Sequence, residues 1–138
     1  MKLRYLLFFI AGCWLSACSN SSSSGTQSDS LLGRWQWNRT NGGFAGRTYT
    51  PATEGYSFAI NFSSGSDYSI YRNDTLVRSG GYTITSSNGI SHFLIPGGKD
   101  SLYLNRIVFA GKMDISHDSL MLSQDSISDG FSSLFIRK

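Results

Sequence analysis

The sequence predicts an all-β domain, a small antiparallel up-and-down barrel spanning residues 31–138, and three observations predict it. From Leu31 onward apolar and polar side chains alternate with period two, the pattern of strands with one face in the core and one in water. The alternating runs are short and are broken by Gly, Asn and Asp, the residues that tight turns require. Composition agrees, because 25 Ser and 15 Gly in 138 residues disfavour helix interiors, and the glycines lack the every-third spacing of collagen. The length suits one domain, and 40% hydrophobic content suffices for a single core.

Residues 1–17 read as a secretory signal peptide. Lys2 and Arg4 precede an apolar run from Tyr5 to Leu15 that is too short to span a bilayer comfortably, and small residues follow it. The exit Leu15-Ser16-Ala17-Cys18 resembles the bacterial lipobox, in which an aliphatic residue and two small ones precede a lipidated cysteine. By that resemblance Cys18 becomes the mature N-terminus and the lipid attachment site, with a diacylglycerol thioether and a palmitate-type acyl group on its amine. Several acyl chains, at about 0.8 kcal/mol per buried methylene, anchor effectively permanently. Ordinary cleavage leaving Cys18 as a free thiol is the alternative. Ser19 stands where, by resemblance to the usual sorting rule, an Asp would favour inner-membrane retention. The expectation is therefore an outer-membrane lipoprotein facing the periplasm, with the leaflet left open. Residues 18–30 are small and polar with nothing to bury, so they read as a flexible tether.

The folded region then divides into strands. Leu31 to Arg39 places Leu31, Gly33, Trp35 and Trp37 on one face, and Tyr56, Phe58, Ile60 and Phe62 alternate with polar partners in the second strand. Ser64-Gly65-Ser66 leads into Asp67 to Arg72, and Asn73-Asp74 turns into Thr75 to Thr85, where Gly80-Gly81 suggests a bulge or a barrel corner. Further strands fall at Ile90 to Ile95, Leu102 to Phe109, Lys112 to Ser116, Ser119 to Ser123 and Phe131 to Arg137. A short helix capped by Asp100 is the alternative for Leu102 to Phe109. Left as an open sheet, these strands would expose two unpaired edges, and closure into a barrel removes them. The first connection, Thr40 to Gly55, is far longer than a hairpin loop and carries Phe44 and Tyr49 among glycines. It reads either as a cover over one barrel end or as a loop whose aromatics plug that end.

Charge and chemistry exclude several classes. The balance of 12 Lys and Arg against 9 Asp and Glu falls to +1 once Lys2 and Arg4 are removed, and the remaining cations are scattered. No basic stripe faces a row of phosphates, so nucleic acid is not an expected partner. Cys13 and Cys18 are the only cysteines, which leaves the folded region without disulfide, zinc-thiolate or cysteine-nucleophile chemistry. His92 and His117 lack metal-ligand spacing, and the Asp125 to Gly130 stretch lacks the order of a calcium loop. No metal, cofactor or catalytic residue is expected. The sole glutamate, Glu54, reads as a solvated loop end, His117 as a turn residue and His92 as a packed or edge residue.

Gly33-Arg34-Trp35 at the head of the first strand, the long first connection, the meander and Arg137 in the last strand resemble the lipocalin pattern. The chain as a whole looks like the small, disulfide-free lipocalin-like lipoproteins of Gram-negative bacteria. The resemblance implies that Gly33, Trp35 and Arg137 close the barrel base, the guanidinium lying on the indole. It also implies a small hydrophobic ligand at the open end, with Tyr56, Phe58 and Ile60 as wall and Phe44 and Tyr49 as lid. The rival reading is a solid barrel that binds an envelope protein through an exposed apolar patch, with Tyr71, Phe93 and Tyr103 as candidates. An enzyme would require His92 or His117 to meet a carboxylate inside a cleft. The oligomeric state carries no signature.

Overall fold

The computed structural model describes residues 31–96, 103–104, 106–125 and 128–138. The leader, Cys18, the tether and Asp100 lie outside the described residues. The strands are β1 (Gly33–Gly42), β2 (Arg47–Tyr49), β3 (Phe58–Ser63), β4 (Asp67–Arg72), β5 (Thr75–Gly81), β6 (Thr83–Ser87), β7 (Ile90–Leu94), β8 (Tyr103–Leu104), β9 (Ile107–Val108), β10 (Gly111–Ser116), β11 (Ser119–Ser123) and β12 (Phe131–Arg137). One helical turn, α1 (Pro51–Glu54), follows β2.

Hydrogen bonding orders the main sheet β5-β4-β3-β1-β12-β11-β10-β7-β6, with β2 added to β1. All its pairs are antiparallel. The first and last strands are neighbours in the middle of this order, from Trp35 opposite Arg137 to Gly42 opposite Phe131. The two ends of the order, β5 and β6, are separated in the chain by Tyr82 alone. The sheet is therefore curled into an up-and-down half-barrel in which one chain path, residues 75–87, pairs first with β4 and then with β7. Sequence alternation suggested one strand from Thr75 to Thr85 with a corner at Gly80-Gly81, and the change of partner occurs at that place. Tyr82 turns inward there, edge-on to Phe62 with ring centroids 5.2 Å apart.

Turn chemistry sets the register. Asn73 and Asp74 both adopt positive φ, as do Asn88 and Gly89, giving two-residue hairpin turns whose twist matches the flanking strands. The outer edge of β5 is blunted by a bulge at Val77, which the pairing with β4 skips, and by Arg78 beside it.

Two connections differ from the sequence expectation. The stretch from Thr40 to Gly55 is not an open loop: β1 runs on to Gly42, turns tightly at residues 43–46 and returns as β2. Residues 38–41 are all polar and only Thr40 among them is buried, so alternation of apolar and polar side chains gave no sign of this extension. Gly42 has φ +142°, and a Cβ there would collide with the Gly130 carbonyl oxygen, so glycine is required where this hairpin crosses the start of β12. Leu102 to Phe109 is neither one strand nor a helix across its described part. It forms a two-residue antiparallel ladder, β8 with β9.

The segment after that ladder fills the barrel. Ile107, Val108, Phe109 and Ala110 are all buried, and Phe109 packs at 6.1 Å from both Phe58 of β3 and Phe135 of β12. A β-bulge between Trp37 and Arg39 turns Thr40 inward. The Trp37 indole N–H donates to Thr40 Oγ1 at 3.0 Å, Thr40 Oγ1 shares a hydrogen bond of 2.7 Å with Ser133 Oγ, and Ser133 Oγ accepts from the Val108 N–H at 2.8 Å. This buried chain pins the inserted segment to β1 and β12. Ser133→Ala leaves the Val108 N–H without its acceptor and should lower unfolding free energy by about 1–3 kcal/mol, read as a reduced urea midpoint with an unchanged m-value.

Candidate functional site

At the end of the barrel where β1 begins, Gly33 has φ +112°, and a Cβ on it would lie 3.3 Å from Arg137 Nη1. Glycine thus leaves room for a guanidinium that stacks 4.2 Å from the Trp35 ring centroid and donates from Nη1 to the Leu32 carbonyl at 2.7 Å. Asp118 lies 3.7 Å from Arg137 Nε, and the Trp35 indole N–H donates to the Leu31 carbonyl at 2.7 Å. The Gly-x-Trp spacing and the terminal Arg meet in one plug of polar contacts over an apolar floor. Arg137→Ala should destabilise the domain by about 1–3 kcal/mol through loss of the cation-π and charged hydrogen-bond contacts, and Arg137→Lys should recover only part of it in the same denaturation series.

The other end is closed by α1 and its neighbours. Thr50 and Thr53 form a reciprocal capping box, Pro51 opens the turn and Gly55 closes it at φ 72°. That turn carries Glu54 inward to 3.7 Å from Arg106 Nη1, with its side chain only 20% exposed. Glu54 is therefore a paired carboxylate and not a solvated one, a correction that follows from the helical turn unseen in the sequence. Arg106 lies 4.6 Å over the Tyr49 ring and Arg72 lies 4.4 Å over Tyr56. Tyr56 also stacks on Trp37 at 5.9 Å and meets Phe58 edge-on at 5.5 Å.

Of the five residues expected around a ligand, four pack in or against the core and Phe44 stands apart. Phe58 and Ile60 are fully buried in the core, Tyr56 is buried at its rim, and Tyr49 is half-buried between Phe131 and Arg106. Phe44 is 96% exposed at the tip of the turn and covers nothing. Among the patch candidates Tyr71 is half-buried beneath Arg34, whereas Phe93 is buried, because the alternation of β7 points it inward.

One constellation escaped the sequence. His92 Nδ1 lies 2.9 Å from Asp125 Oδ2, and the pair borders a cleft of about 430 Å³ together with Phe93, Leu94, Ala110 and Gln124. The cause is sheet order: Lys112 of β10 faces His92 on one side and Ser123 on the other, so β11 ends one strand away from β7 and the chain just beyond it, at Asp125, reaches His92. Only strand order could reveal this pair, since 33 residues separate its members. His117 instead occupies a turn at φ 52°, with Nδ1 3.3 Å from Ser116 Oγ, and its neighbour Asp118 is engaged by Arg137. Among the described residues no cluster of three or more His, Cys, Asp or Glu is arranged to hold a metal ion.

No protein-family model matches this chain, and no curated protein matches it either.

Burial, reinforced by the Glu54 carboxylate and opposed by Arg72 and Arg106, holds the Tyr56 hydroxyl above the ordinary phenol value of 10.0. Burial and then Asp67 do the same for Tyr82. The unfolded chain releases these protons first, so their stabilising contribution is complete below pH 10.0 and is lost as pH rises through the higher folded values. Urea midpoints should fall as pH passes above about 10, and replacing both tyrosines with Phe should flatten that decline.

Proposed function

We propose that the chain is a lipid-anchored binding module of the bacterial cell envelope, lipocalin-like in architecture, non-enzymatic, and working through its outer surface instead of a central cavity. The observation that carries this reading is the insertion of Ile107 to Ala110 into the barrel, where Phe58, Phe109 and Phe135 pack together. Side chains occupy the volume that an interior ligand would need. The anchor rests on the lipobox-like Leu15-Ser16-Ala17-Cys18, and no helix among the described residues is long and apolar enough to cross a membrane.

Orientation supports an outward-facing role. The tether enters where β1 begins, while Phe44 projects from the turn beyond its far end. Ten residues at about 3.3 Å each put the tip roughly 30 Å from the start of β1. A bare aromatic ring at the tip of a hairpin, between Gly43 and Ala45, is suited to enter a pocket on a partner protein. His92 and Asp125 supply a base and its orienting group, yet no hydroxyl among the described residues bonds Nε2 of His92 as a nucleophile would. Binding is therefore favoured over catalysis.

Metabolic labelling with an alkyne palmitate should mark the full chain and not Cys18→Ala; an unlabelled wild-type chain would end the anchor reading. Titration with a fluorescent fatty acid should leave Trp35 and Trp37 without saturable quenching, and saturable quenching would restore an interior ligand. A photo-crosslinking amino acid at position 44 should give one discrete adduct with an envelope protein, whereas Phe44→Ala should change stability by no more than about 0.5 kcal/mol.

A further inference from the structure

The cleft beside β7 is built differently from the rest of the surface. Leu94 is its exposed apolar side chain, with about half its surface uncovered, while Phe93 and Ala110, both 1% exposed, border it from beneath. Its volume of about 430 Å³ falls within the range of roughly 300–1,000 Å³ typical of small-ligand sites. Thr85, His92, Gln124 and Asp125 supply its polar side chains.

The dyad fixes what these polar groups offer. An ionised carboxylate only accepts hydrogen bonds, so the 2.9 Å contact to Asp125 Oδ2 requires His92 Nδ1 to donate. In the neutral imidazole Nε2 then carries the lone pair, and no described residue hydrogen-bonds it. With the imidazole neutral, the site presents an oriented acceptor beside the exposed Leu94.

We propose that this cleft binds a small uncharged amphiphile, an apolar body resting against Leu94 and a single hydroxyl that donates to Nε2 of His92. The site lies outside the barrel interior and is independent of both the lipid anchor and the Phe44 tip. Ala110 ends the inserted segment and Gly111 opens β10, so the stretch that packs the core also borders the cleft. A filled barrel and a small-molecule site are thereby compatible. Position is secured from both sides, because Gln124 is held by its backbone N–H to the Phe131 carbonyl at 2.9 Å and by the Phe131 N–H to its own Oε1 at 3.0 Å.

Three photoreactive probes with one body test the proposal: 4-(hydroxymethyl)benzophenone, 4-methylbenzophenone and benzophenone-4-carboxylic acid, each irradiated with the full chain in detergent and mapped by peptide mass spectrometry. The alcohol should label peptides bearing Leu94 and Ala110 saturably, and its apparent affinity should exceed that of the other two by about three- to tenfold, one hydrogen bond's worth. His92→Phe, which keeps a ring of similar shape, should erase that preference while circular dichroism stays unchanged. Leu94→Glu, at an exposed position that the fold does not rely on, should abolish labelling by the alcohol. Equal labelling by all three probes, an undiminished preference in His92→Phe, or labelling spread over the surface would each overturn the proposal.

Discussion

Strand β1 is bonded on both sides, by β3 along its first half and by β12 along nearly all its length, and this double pairing is the constraint on which the rest of the molecule depends. It joins the first and last strands, curls the sheet and brings the chain's two polar plugs into being. At Trp35 the neighbours are Ile60 on one side and Arg137 on the other, so the indole is covered by a side chain from the far end of the sequence. Burying an indole N–H without a partner would cost more than the ring gains in specificity. The bond to the Leu31 carbonyl removes that cost and draws the chain's entry point into the same contact.

The interior follows from the same geometry. A curled sheet of this size leaves room for either a ligand or a segment of its own chain, and here residues 107–110 take the place. Inserting backbone into a core brings N–H and carbonyl groups that need partners. Ser133 and Thr40, both fully buried, supply one for Val108 and also satisfy the Trp37 indole. Two small hydroxyl side chains in an otherwise oily wall are thus explained by what they hold. Aromatic rings in edge and tilted contacts complete the packing in two groups, one of Phe62, Tyr82 and Phe93 and one of Phe58, Phe109 and Phe135.

Much of the sheet was legible in the sequence because one face of each strand is wet and the other dry. The bounds of β4, β11 and β12 were read correctly, and the corner at Gly80-Gly81 marked the change of partner. What alternation could not show were elements without an apolar face. The extension of β1 buries only the polar Thr40, its return as β2 has no buried residue, and α1 is a single turn without a buried residue. The opposite problem hid the fate of residues 107–110, which are buried all round and so carry no period that separates strand from helix. The cleft was illegible for a third reason. His92 and Asp125 are brought together by the order of β7, β10 and β11 in the sheet, and turn residues rich in Asp and Ser suggest a loop long before they suggest a partner for a distant imidazole.

The adjacency of the first and last strands also sets a timetable for folding. Residue Trp35 waits for Arg137, about as long-range a contact as this chain permits, and contacts so distant in sequence are slow to form because the intervening chain must first be closed into a loop. The local hairpins, β3 with β4 and β10 with β11, can assemble as soon as they are synthesised. The seam between β1 and β12 cannot. Until β12 has left the ribosome that seam has no way to shut, so up to that point the nascent polypeptide remains a string of hairpins.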